Sequence, residues 1–203
     1  MRPMPPQELM EDQGDTFAPA DDLRAWIIDT FIAEDGDIAN EDHTHLANAE
    51  LGVLWTTCTN AKAMRTVIGQ AELMPPMAMG KWQRARAIQQ IEEWFGAVPD
   101  FLITFYAPAA ATMDDASFCA LVEHELYHCA QARDVYGMPK FNRDGAPVFA
   151  MRGHDVEEFV GVVARYGAAA TGVAEMVEAA NRRPTVALAD IAGVCGTCLL
   201  KAA

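Results

Sequence analysis

The chain reads as an α+β protein, a small sheet of about three or more strands flanked by helices. Two observations predict this. Three short runs rich in β-branched and aromatic residues, 50–58 (ELGVLWTTC), 66–73 (TVIGQAEL) and 101–106 (FLITFY), have the composition of strands. Around them, apolar residues recur at helical spacing in 21–34, 81–95, 112–129 and 156–166. The resulting order, helix, strands, helix, strand, helix, helix, is that of an α+β domain. A length of 203 residues suits one domain with appendages.

In chain order, residues 1–20 are rich in Pro, Gly and acids and have little to bury, so a flexible acidic tail is expected ahead of a single domain over 21–203. Asp21 and Asp22 can cap a helix with Leu23, Trp26, Ile27 and Phe31 on one face. The polar stretch 35–48 reads as a loop holding His43 and His45, a pair that is more often solvated than ligating outside a helix. The first two strands are joined by TNAKAMR, a length suited to a hairpin or short crossover, and Pro75 and Pro76 stop the second. In helix 81–95, Trp82, Ala85, Ile88, Ile91, Trp94 and Phe95 would pack, and Gly96 ends it. Residues 134–147 form a loop or small hairpin. Helix 156–166 carries Val156, Phe159, Val160 and Val163 on one stripe.

Composition removes several function classes. Formal net charge is −14 and the pI is near 4.6, leaving no surplus of Lys and Arg to replace the counterions of nucleic-acid phosphates. No run of about 18 apolar residues exists, so no membrane span is expected. The start, MRPMPP followed by acids, lacks the apolar core of a secretory signal. Five cysteines without such a signal suit reduced thiols in a cytoplasm.

The most informative residues are His124-Glu-Leu-Tyr-His128. Histidines four apart on a helix project from one face and can hold one zinc ion between them. Glu125 then lies beside the metal without having to ligate it, free to take a proton from water as that water attacks a peptide carbonyl. The context is helical. Thr112 with Asp115 reads as an Asp version of the capping box, and Phe118, Leu121, Val122 and Leu126 recur at helical spacing. The histidines extend the side of Leu121, with Cys119 and Cys129 as small apolar fillers and Tyr127 facing away.

Catalytic zinc takes three protein ligands, so the motif needs one more. His154 is favoured, because Asp155 and Glu158 have capping-box spacing that puts it just before helix 156–166, where the chain turn can aim it. Glu157 or Glu158 on that helix is the alternative, and Asp155 is either an orienting partner for an imidazole or a simple cap. Tyr136 and Tyr166 are candidate donors to an oxyanion. Cys195 and Cys198 have the spacing of half a zinc site or a redox pair, but no second CxxC exists, and two small buried residues is the favoured reading.

The run DFLITFYAPAAATMDDASFCALVEHELYHC, with GHDVEEF and the closing CGTC, resembles the putative phage metallopeptidase family over about residues 20–200. The resemblance implies a zincin-like fold in which the strand before the active-site helix, here 101–106, lines a substrate cleft. It also implies zinc on His124, His128 and His154, Glu125 as base, and a peptide or protein substrate. More distantly the pattern is similar to SprT-like zincins, without their basic surroundings. The expectation is a zinc metallopeptidase; the alternative is a non-catalytic zinc-binding module acting in protein–protein interaction.

Overall fold

Period-two alternation in two buried strands organises the fold. The computed structural model describes residues 1–11, 14–62, 65–77, 79–169 and 172–197. They fall into two compact units, Met1–Arg152 with Ala189–Ala203, and Gly153–Leu188, where the sequence suggests one domain over 21–203.

The first unit opens with α1 (Gln7–Glu11), β1 (Phe17–Pro19) and α2 (Asp21–Ile27), which continues as a π-helical turn, Ile28–Ile32. A 3-10 helix, Glu41–Asn48, leads into β2 (Leu51–Thr56), the short strands β3 (Ala61–Lys62) and β4 (Arg65–Thr66), and β5 (Gly69–Leu73). Then come α3 (Lys81–Phe95), β6 (Phe101–Tyr106), α4 (Ala107–Ala110), α5 (Asp115–His128), and the pair β7 (Cys129–Gln131) and β8 (Phe149–Met151). Four strands form a mixed sheet in the order β1-β2-β6-β5. Strands β2 and β6 run parallel with Leu51 opposite Phe101, and the outer pairings are antiparallel.

Both faces of the central strands are covered, which explains their nearly unbroken apolar runs. Leu51, Val53, Trp55, Phe101, Ile103 and Phe105 point to the face packed by Leu23, Ile27, Phe31, Phe118 and Leu121. The alternate residues Leu54 and Leu102 meet Ile91 of α3 on the other face. Phe118 anchors α5 to the first of these faces, its ring 5.4 Å from Phe105 and 6.0 Å from Trp55. The architecture is α+β, a small mixed sheet flanked by helices, as expected.

Several local expectations change. β2 and β5 are not neighbours, because β6 lies between them; the connecting residues close their own ladder of β3 and β4. Residues 1–11 and 14–20 are built into the first unit rather than forming a tail. β1 pairs with β2, Leu9 is buried, and Arg2 supplies polar contacts that the segment's composition conceals. The Arg2 guanidinium donates to Asp115 Oδ1 at 2.8 Å and to the carbonyls of Ala110 and Met113 at 3.0 and 2.6 Å. It also lies 4.4 Å over the Phe118 ring. Within 35–48, the Asn40 side chain accepts from Asp42 N–H at 3.0 Å and starts the 3-10 helix that buries His43 and Leu46. Helix α3 ends at Gly96 with φ 77°, the left-handed cap expected, but Trp82 is 88% exposed rather than packed.

The second unit contains α6 (Val160–Tyr166) and α7 (Ala174–Ala180). Its first helix begins four residues later than the apolar stripe suggests, so Asp155 does not cap it. Among the described residues, no helix is long and apolar enough to cross a membrane.

Candidate metal centre

Helix α5 is started by Asp114, whose carboxylate accepts the Ser117 N–H at 2.9 Å. Thr112, expected as the cap, instead donates its hydroxyl to the Ala109 carbonyl at 3.0 Å at the end of α4. The apolar side of α5 sinks Phe118, Leu121, Val122 and Leu126 into the core and carries Glu125 and His128 inward with them. His124 is half-buried on the same side.

The four-residue spacing brings the two Nε2 atoms to 3.2 Å. Two imidazoles on one tetrahedral zinc, at the usual Zn–N length of about 2.0–2.1 Å, hold their nitrogens about 3.3 Å apart. The pair therefore fits such an ion. His128 is also oriented for it: Nδ1 donates to the Arg152 carbonyl at 2.7 Å, which leaves Nε2 with its lone pair toward His124. The β7–β8 ladder makes that contact, since it returns the chain to His128, where Arg152 N–H also donates to the His128 carbonyl at 2.9 Å.

Glu125 is fully buried, and burial raises its carboxyl to about 7 against weaker opposition from Cys195, Thr197 and the Ala71 backbone. The Thr197 hydroxyl lies 3.1 Å from Oε2, while Oε1 lacks a conventional hydrogen bond among the described residues. Gly69 of β5 makes room for this carboxylate. A Cβ at that position would stand 2.9 Å from Leu121 Cδ1 and 3.1 Å from Glu125 Oε1.

A third group comes from the end of the chain. Residues 194–196 lie along β5, with Ile68 N–H donating to Val194 O and Gly196 N–H to Gly69 O, both at 2.7 Å. This parallel bridge sets Cys195 opposite Gly69 and places its buried Sγ 3.5 Å from His128 Nε2. One ligand atom from each of His124, Glu125 and Cys195 lies within 4.8 Å of the others. Cys195 is buried, as expected, and it also stands beside the motif, for which its CxxC spacing was the available signal. Cys198 falls outside the described residues.

The sequence-predicted residues His124, Glu125 and His128 lie together in the first unit, and His154, the second residue of the second unit, is exposed. Glu157 and Glu158 are exposed too, and Glu158 accepts its neighbour Phe159 N–H at 2.7 Å. His45 donates Nε2–H to the Cys129 carbonyl at 2.7 Å. His43 is buried against the Tyr127 ring, centroids 4.6 Å apart, and burial, with His45 adding to it, lowers its pKa to about 4. Tyr127 does face outward, where its hydroxyl donates to Asp42 at 2.9 Å and accepts from Asn40 at 3.0 Å. Tyr136 and Tyr166 are both largely exposed. The strand expected to line a cleft, β6, has both edges paired, so β5 is the edge strand beside α5.

A search of curated proteins and a search of solved structures each returned no match. The family model for putative phage metallopeptidases matches residues 24–181, a span that holds the HELYH motif and His154 but stops short of Cys195. With that match running over most of its length, the chain belongs to the putative phage metallopeptidase family.

Proposed function

We propose that the chain is a zinc-dependent endopeptidase in which His124, His128 and His154 hold the metal and Glu125 is the general base. The observation that carries this reading is the 3.2 Å convergence of two Nε2 atoms beside a buried carboxylate. Zinc there would supply a Lewis acid that acidifies water and polarises a peptide carbonyl. Glu125 would accept a proton from the attacking water and return it to the leaving amine.

His154 is favoured as third ligand by the tether. Arg152 is bonded to His128 at its carbonyl, and two further residues extend the chain by at most about 7 Å. Glu157 and Glu158 are five and six residues on, and α6 starts only at Val160, so no helix face presents them. The substrate is a peptide or protein; a net charge of −14 argues against nucleic acid. Reduced cysteines fit a cytoplasmic setting.

The test is Glu125→Gln alongside His154→Ala, reading bound zinc and hydrolysis of labelled casein. Glu125→Gln should keep its zinc and lose roughly 100- to 10,000-fold in rate; full activity would rule out the base. His154→Ala should bind zinc more weakly, and parental affinity would remove it from the ligand set. A second reading, a non-catalytic zinc-binding interaction module, is favoured by the nearness of Cys195 to His128, which offers the metal a further protein donor.

A further inference from the structure

The geometry points to Cys195 as a thiolate ligand of the same metal, delivered by the segment 194–197, which bridges to the outer edge of β5 at Gly69. This rests on the metal centre proposed above and goes beyond it, since Cys195 lies outside residues 24–181, the span the family model matches. The distances agree with one ion. Tetrahedral zinc with Zn–S of about 2.3 Å and Zn–N of about 2.0–2.1 Å separates sulfur from nitrogen by about 3.6 Å. Cys195 Sγ stands 3.5 Å from His128 Nε2, while His124 and His128 show the matching nitrogen–nitrogen spacing at 3.2 Å.

The cysteine is not there by drift of a loose end. The backbone bonds of Ile68 to Val194 and of Gly196 to Gly69 hold it from both sides. The Thr197 side chain locks the next step, accepting Ala71 N–H at 2.8 Å and reaching Glu125 Oε2 at 3.1 Å. A Cβ on Gly196 would meet Val67 Cγ1 at 2.6 Å and Gln70 Oε1 at 2.7 Å, so the segment approaches β5 as closely as glycine allows. One ligand atom from each of His124, Glu125 and Cys195 lies within 4.8 Å of the others, so the cysteine enters the same donor cluster as the motif.

Ligation requires the S–H bond to break. The proton passes to the adjacent Glu125 carboxylate and from there to solvent, and the sulfur lone pair takes the ligand position. In this resting state a protein donor fills the place that water needs for attack. The segment also covers backbone groups of Gly69 and Ala71 that an extended peptide would use. Cleavage then depends on residues 194–197 leaving the edge.

The experiment uses the full chain, stripped of metal and reloaded with Co²⁺, which absorbs in the near ultraviolet when a thiolate binds it and in the visible through its ligand field. The parent should show both absorptions. Cys195→Ser should lose the near-ultraviolet band and keep the visible ones. Loss of the visible bands from the parent would overturn the metal centre itself and this inference with it. Visible bands without a thiolate band in the parent, or a thiolate band that survives in Cys195→Ser, would overturn Cys195 ligation alone. Should the variant fold poorly, the parent still decides. Iodoacetamide labelling of Cys195, read by peptide mass, should slow at least tenfold with Zn²⁺ relative to chelator-treated protein, and an unchanged rate rejects the inference.

Discussion

The chain carries two closely spaced pairs of histidines, and their fates differ. His124 and His128 are four apart on an α-helix, and their Nε2 atoms converge to 3.2 Å. His43 and His45 are two apart on a 3-10 helix, where three residues make a turn and such neighbours diverge. One of them, His45, bonds the carbonyl of Cys129, and the other is buried against Tyr127 with no hydrogen bond on either ring nitrogen among the described residues. The first pair is arranged for a ligand. The second supports the C-terminal end of the helix that carries the first. Residue type alone does not separate these roles; the periodicity of the backbone beneath does.

The comparison breaks most clearly on metal content. His128→Ala should weaken zinc binding roughly 1,000-fold or more, because a catalytic site has few ligands to lose. His45→Ala should leave stoichiometry at one ion per chain; equal loss in both variants, measured by elemental analysis after dialysis, would erase the distinction.

A smaller effect sharpens it through pH. Burial holds His43 near 4, below its ordinary 6.5, so the folded protein keeps the ring neutral where the unfolded chain protonates it. Its contribution to stability is complete above pH 6.5 and is lost as pH falls toward 4, on the order of 3 kcal/mol over that window. In metal-free protein, urea midpoints of the parent should therefore fall more steeply from pH 6.5 to 4 than those of His43→Phe. Parallel slopes would show that His43 is protonated in the folded state. The smallest effect tests the helix itself. Asp114→Ala removes the cap on Ser117 N–H and should lower the urea midpoint slightly while zinc content stays whole.

Much of the site was legible because it is local. Helix α5 follows from an acid cap and an apolar stripe, and the motif on it needs only 3.6 residues per turn. The buried strands β2 and β6 follow from their composition, and the end of α3 from Gly96. What misled was the pattern of residues whose burial depends on distant partners. Acids and prolines made residues 1–20 look unstructured, yet Arg2 finds Asp115 and two carbonyls over a hundred positions away. The valines and Phe159 after His154 looked like a helix face, but the helix starts only at Val160 and Phe159 is 79% exposed.

By itself, then, the sequence determined the class of the fold, the identity of the helix that bears HELYH, and the pairing of His124 with His128 around Glu125. All three rest on interactions within a few residues, which spacing encodes directly. Only the tertiary structure decided that β6 separates β2 from β5, and that the end of the chain returns to set Cys195 and Thr197 beside the motif. Strand alternation tells which face a side chain takes but not which strand lies next to it. That choice comes from closing long loops against the burial they make available, a balance no local pattern records.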